Sequence, residues 1–227
     1  MPDQAILNKA IDYLEPVTLK IDGHRAQVDA ATVLLEKAKA AAPRSAEQHY
    51  SVGLALYQLH DYREAVEQLS ASYFIRPQAE TAARIGLAAW RGNDLETAEK
   101  WTRIAVTSEP AGKLKTLTAG TTPTFQALLA QVMFSAGKLT AAQSTAESAL
   151  KVDANDVTAL TVLSLVQVAG GNASHALTTL DRAHASANGA LKRDLTKLSA
   201  TLDRVLRDRM KIPMHVLDLG DILRQVS

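Results

Sequence analysis

Three residues recur in step along this chain. Gly53, Ala65 and Pro77 are each followed 33 residues later by the same residue, Gly86, Ala98 and Pro110. A period of this length means a repeat architecture, in which one short unit stacks on copies of itself to bury a shared core. The register extends both ways. Ala31, Leu35 and Pro43 lie 34 residues before Ala65, Leu69 and Pro77. Forwards, Gly137-Lys138-Leu139-Thr140-Ala141-Ala142 aligns with Gly92-Asn93-Asp94-Leu95-Glu96-Thr97-Ala98 after a slip of one residue. A further 34 residues on from Ala142, Ala146 and Ala149 stand Ala176, Leu180 and Ala183.

The unit reads as two helices. Val52, Leu56 and Leu59 fall at helical spacing, as do Val66, Leu69 and Tyr73. No segment keeps the apolar–polar alternation of a strand. Small residues recur where two helices must approach closely. Proline recurs where each second helix has to stop. The pattern predicts an all-α chain with helix pairs at 46–59 with 62–75, 79–91 with 95–108, 123–136 with 139–151, and 157–169 with 173–186.

The residues that carry the period are those of a known repeat. Segment 46–79 reads His49-x2-Val52-Gly53-x2-Leu56, then Ala65-x3-Leu69, then Pro77. Segment 79–112 reads Ala82-x2-Ile85-Gly86-x2-Ala89, then Ala98-x3-Thr102, then Pro110. Both resemble the tetratricopeptide repeat, a helix-turn-helix of ~34 residues. The large aromatic positions of that signature are lost. Its glycine becomes Ala130 and Ser164 in the later units, and its proline becomes Ala154 and Asn188. The resemblance covers roughly residues 25–190. It implies a right-handed α-solenoid whose first helices line a concave face.

This reading divides the chain into three parts. Residues 1–45 hold N-terminal helices, one at 4–14 ending before Pro16 and one at 25–41 forming a degenerate half repeat. Residues 46–190 hold four repeats, at 46–78, 79–112, 123–156 and 157–190, with a loop inserted at 111–122. Residues 191–227 hold a C-terminal capping helix and tail. Helix 189–211 carries one apolar stripe, Leu191, Leu195, Leu198, Leu202 and Val205. Such a stripe covers the last repeat, as stacked arrays require for solubility, or else forms a seam between copies of the chain. Its other face is basic, through Lys192, Arg193, Lys197, Arg204, Arg207, Arg209 and Lys211. No aromatics interleave there to stack on bases, which argues against nucleic acid.

The resemblance also implies which side chains point into the concave groove. One groove position per repeat holds Tyr57, Trp90, Phe134 and Val168. Neighbouring positions hold Tyr50, Leu54, Arg84, Leu87, Arg91 and Gln131. The chain is only 4% aromatic, so three aromatics in one phase of the repeat stand out. Aromatic and arginine side chains are the usual anchors of protein interfaces. The alternative is that they fill gaps between repeats. The groove differs from the family's clamp for acidic chaperone tails, whose lysine and asparagine positions are Tyr50, Leu54 and Leu87 here. The expected ligand is a partner segment with apolar or aromatic anchors, with Arg84 and Arg91 adding a charge preference.

Little in the chain points to chemistry. The sequence holds no cysteine, which excludes disulfides, thiolate nucleophiles and cysteine-ligated zinc. His24, His49, His60, His175, His184 and His215 show no zinc-binding spacing. Asp153-Ala154-Asn155-Asp156 lacks the glycine and distal glutamate of a calcium loop. No cofactor, metal or catalytic residue is expected, and the chain is read as non-enzymatic. The formal net charge of +1 supplies no global attraction to nucleic acid or to an anionic membrane. No basic stretch followed by an apolar core opens the sequence, and no run approaches the ~18 apolar residues of a membrane span. The expectation is a cytoplasmic interaction module: an adaptor or scaffold, or an assembly or secretion chaperone. The alternatives are a structural protein that assembles with itself and, behind it, an enzyme of a class that no motif here identifies.

Overall fold

A computed structural model describes residues 33, 45–115, 122–187, 192–193, 195–197 and 199–200. The helix read at 4–14, most of that at 25–41 and the tail after Pro213 lie outside the described residues. The described residues hold eight α-helices and no strand. These are α1 (Ala46–Gln58), α2 (Tyr62–Ile75), α3 (Ala79–Arg91), α4 (Leu95–Ser108), α5 (Phe125–Ser135), α6 (Leu139–Val152), α7 (Val157–Ala169) and α8 (Ala173–Ser186). The chain divides into two compact units, Met1–Ser108 and Glu109–Ser227. In the first, α1 packs on α2, α3 on α4, and α2 on α3. In the second, α5 packs on α6, α7 on α8, α6 on α7, and α5 on α7.

The helix starts follow local chemistry. Ser45 caps α1 with its hydroxyl on the Gln48 amide, and the Gln48 side chain returns the bond to the Ser45 amide. This reciprocal box satisfies two donors that a helix start otherwise leaves unpaired. Asp61, Thr124 and Asp156 cap α2, α5 and α7 through their side chains.

The turns within the pairs share one geometry. Asp61, Asp94, Lys138 and Asn172 donate their amides to Leu56, Ala89, Met133 and Gln167, five residues back. The residue before each donor has positive φ: His60 at 63°, Asn93 at 63°, Gly137 at 72° and Gly171 at 77°. This is a helix end closed by one left-handed residue. It corrects the sequence alignment in one place. Gly137 stands where Asn93 stands, not where Gly92 stands, so no slip separates the two units.

Close approach explains the small positions. A Cβ built on Gly53 would lie 2.6 Å from Leu69 Cγ, and one on Gly86 would lie 2.5 Å from Thr102 Cγ2. Glycine lets the two helices of a pair meet around these side chains. Where the glycine is lost, Ala130 is fully buried, and Ser164 satisfies its hydroxyl on the Ala176 carbonyl at 3.0 Å.

The inserted loop has an ordered base, which the sequence reading missed. Lys113 and Thr124 form an antiparallel bridge. Leu114 donates its amide to Pro123, and Phe125 to Gly112. The Lys113 ammonium pairs with Asp153 at 2.7 Å, and this hydrogen bond holds the Asp153 carboxyl below its ordinary range. Asp156 is buried, and its two oxygens accept the Thr124 amide at 2.7 Å and the Ala159 amide at 3.0 Å. One carboxylate thus ties together the starts of α5 and α7. Beyond α8, residues 192–193, 195–197 and 199–200 are helical, and Leu195 of the apolar stripe is fully buried.

Candidate functional site

The ten groove positions named from sequence fall on four first helices, Val168 alone being on α7 in the second unit. Tyr50, Leu54 and Tyr57 lie on α1, and Arg84, Leu87, Trp90 and Arg91 on α3, all in the first unit. Gln131 and Phe134 lie on α5 in the second unit. Most of them are well covered. Leu54, Leu87, Gln131 and Phe134 are buried, and Trp90 is only 2% exposed. Tyr50, Tyr57 and Arg91 are half-buried.

Two clusters form among these residues. At the start of the helices, the Tyr50 hydroxyl donates to Glu80 Oε1 at 3.4 Å. Arg84 Nη2 reaches the same oxygen at 3.5 Å and is only 6% exposed. Burial pushes the Tyr50 hydroxyl upward, with the Arg84 charge opposing. Tyr50 therefore ties α1 to α3 through Glu80, which Arg84 holds from within α3. A buried arginine–carboxylate contact of this kind fixes geometry more than it adds stability.

The other cluster lies at the opposite helix ends. The Tyr57 and Tyr62 rings meet edge to face, 5.7 Å between centroids. His60 Nδ1 lies 2.6 Å from the Tyr62 hydroxyl. The Arg91 guanidinium sits 5.5 Å over the Trp90 ring, a cation–π distance. Burial raises the Tyr62 hydroxyl, and the positive charge of Arg91 lowers it in turn. Tyr57, His60, Tyr62 and Arg91 thus gather around the turn of the first pair. Tyr62 was not singled out from sequence, and His60 was read as a turn residue alone. The available signal was position: His60 holds a left-handed place taken elsewhere by Asn93, Gly137 and Gly171.

A further surface also went unread. On α2 and α4, Tyr73 and Trp101 meet edge to face at 4.9 Å, and Phe74 lies 6.3 Å from Trp101. Phe74 is 75% exposed and Ile75 is 54% exposed. In the next repeat the same phase holds Thr107 and Ser108. Among the described residues, no group of three or more His, Cys, Asp or Glu side chains could hold a metal ion. No described helix is long and apolar enough to cross a membrane.

No protein-family model matches the sequence. No curated protein matches it either. Solved structures do. A thermophilic tetratricopeptide protein of Thermus thermophilus, TTC0263, is 18% identical with a TM-score of 0.60, covering 87% of this chain and 98% of its own. The MamA protein is 16% identical with a TM-score of 0.57, over 80% of this chain and 91% of its own. YrrB, described as a tetratricopeptide protein with an unusual peptide-binding site, is 15% identical with a TM-score of 0.53, over 78% of this chain and 84% of its own. At such identities the likeness speaks for the fold alone. The helix pairs, their glycine contacts and their shared turn agree with it: this chain has the all-α fold of the tetratricopeptide-repeat proteins.

Proposed function

We propose that this protein is a non-enzymatic interaction module that holds a segment of a partner protein against its first helices. The observation that carries this reading is the gathering of Tyr57, Tyr62 and Arg91, half-buried and of interface-anchor type, beside the left-handed His60. The fold supports it, since repeat arrays present extended binding surfaces. The peptide-binding site for which YrrB is described supports it by analogy. Tyr50, Leu54, Arg84, Leu87 and Trp90 complete this surface in the first unit as its apolar and positioning residues, and Gln131 and Phe134 are the corresponding residues of the second unit. The role is that of an adaptor or scaffold, or of an assembly or secretion chaperone working in the cytoplasm.

The test is affinity capture from the source cells with the wild-type chain and a Tyr57→Ala, Arg91→Ala chain, read by mass spectrometry. Both changes fall on half-buried side chains, so the fold is expected to survive. Loss of the specific partners supports the reading; an unchanged partner set sinks it. Self-assembly is a second reading, favoured by the exposed Phe74 and Ile75. Light scattering across protein concentrations separates the two, because a strict monomer removes the second.

A further inference from the structure

Away from the first helices, three rings of the first unit stand at near right angles to one another. Tyr73 and Phe74 lie on α2, and Trp101 lies on α4. The planes of Tyr73 and Trp101 meet at 81°, those of Tyr73 and Phe74 at 80°, and those of Phe74 and Trp101 at 70°. The three centroid separations run from 4.9 to 6.3 Å. Three mutually perpendicular planes at that spacing form the corner of a box. Trp101 is its floor, 8% exposed. Tyr73 is a half-buried wall, and Phe74 is an open one at 75% exposure. A ring left so far in water contributes little to the core.

The face of an aromatic ring is electron-rich and attracts a cation. Trp90 already holds one, the Arg91 guanidinium at 5.5 Å. Among the described residues, no side-chain cation lies over Tyr73, Phe74 or Trp101. The surroundings have the matching sign. Tyr73 and Phe74 fall in the last turn of α2, at the negative end of its dipole, and that turn carries no basic residue. Glu67 lies two turns before Phe74 on the same face of the helix, with its side chain 63% exposed. Arg76, the nearest cation in sequence, is engaged by Glu47 at 2.6 Å.

We propose that the Tyr73–Phe74–Trp101 corner is a binding site for a trimethylammonium head group. A bare ammonium is a compact, strongly hydrated charge and gives up much water on entering. A trimethylammonium spreads its charge over methyl groups, which pack on apolar walls while the charge meets the ring faces. Ile75, 54% exposed, adds apolar surface for the chain that carries the head. Free choline-like molecules and methylated lysine side chains offer the same group. Two walls and a floor, partly open to water, set the affinity in the millimolar range.

The test uses the full chain labelled with 5-fluorotryptophan. Trp90 and Trp101 are the two tryptophans of the sequence, so one reports on the corner and the other is an internal reference. Choline is titrated at constant ionic strength beside its uncharged analogue, which carries a tert-butyl group in place of the trimethylammonium. The Trp101 fluorine signal is expected to shift and saturate with choline but not with the analogue, while the Trp90 signal stays in place. Phe74→Leu keeps an exposed apolar side chain and removes the ring; it should weaken choline binding at least ~3-fold. A short trimethyl-lysine peptide, run beside its unmodified form, separates the two sources. Tighter binding than choline assigns the site to a protein side chain, and equal or weaker binding assigns it to a small molecule. A Trp101 signal that ignores choline, that answers the uncharged analogue equally, or that responds unchanged in Phe74→Leu overturns the proposal. Should Phe74→Leu lose helicity by circular dichroism, Tyr73→Leu decides by the same titration.

Discussion

The two helices of one repeat, α3 and α4, live in different surroundings. α3 is buried at each position from Thr81 to Trp90. α4 buries Ala98, Trp101, Thr102 and Ala105 and turns its remaining residues toward water. The last pair repeats the contrast: α7 is buried from Val157 to Val166, whereas α8 buries Ala176, Thr179, Leu180 and Ala183. A helix with one apolar stripe needs one partner surface; a helix buried all round needs a cover on every side. α3 and α7 thus belong to the cores of their units, and Leu87 and Trp90 lie within the first of these. Any binding at Leu87 or Trp90 has to uncover them.

Substitutions can break this comparison or sharpen it. The largest effect is expected from Trp90→Ala, which empties a site in the first-helix layer and should cost about 3–5 kcal/mol. Urea denaturation checks it; a loss below about 1 kcal/mol would mean that Trp90 lies on an open surface after all. Next comes Asp156→Asn, expected to cost about 1–3 kcal/mol, because an asparagine has one acceptor oxygen for the two amides of Thr124 and Ala159 and turns an NH2 group toward the other. Its pH dependence has a definite sign. Burial raises the Asp156 carboxyl above its unfolded value, so the folded chain holds the proton more firmly. The stability this adds is complete below the unfolded pKa and fades as pH rises through the folded one. The advantage of wild type over Asp156→Asn should therefore shrink from acid toward neutral pH, and thermal melts showing it grow would contradict the assignment.

Smaller effects belong to the turns and the second helices. His60→Gly removes a left-handed non-glycine residue, worth about 1 kcal/mol of strain. It also gives up the contact with Tyr62. The fold is expected to be unchanged or slightly more stable, while partner capture weakens. Full capture by this variant would limit His60 to a turn role. Phe74→Ser should change stability by less than about 0.5 kcal/mol, since that ring is mostly in water. A larger loss in a concentration-dependent melt would reveal a contact between copies at this patch.

Much of the fold was legible because repetition makes each signal count several times. Gly53 and Gly86 marked the closest approach of two helices, and the structure finds the facing side chains there. Pro77 and Pro110 marked the ends of second helices, and α2 and α4 end at Ile75 and Ser108. The loop at 111–122 was less legible. Its Lys113–Thr124 bridge and Lys113–Asp153 pair join residues that carry no local pattern. The candidate site was legible in composition but not in environment. Tyr57, Trp90 and Phe134 share one phase of the repeat, yet Tyr57 is half-buried beside Tyr62 whereas Trp90 and Phe134 are buried.

By itself the sequence determined the period, the helix pairs, the small contact positions and the turn residues, because helical spacing, steric size and backbone preference act over a few residues. The tertiary structure alone decided which faces remain open. Exposure depends on what distant parts of the chain bring against a helix, and no local pattern records that. That is why Tyr50 could be placed on α1 from sequence while its contact with Glu80 on α3 could not, and why Leu54, Leu87, Trp90 and Phe134, read as groove positions, prove to be buried.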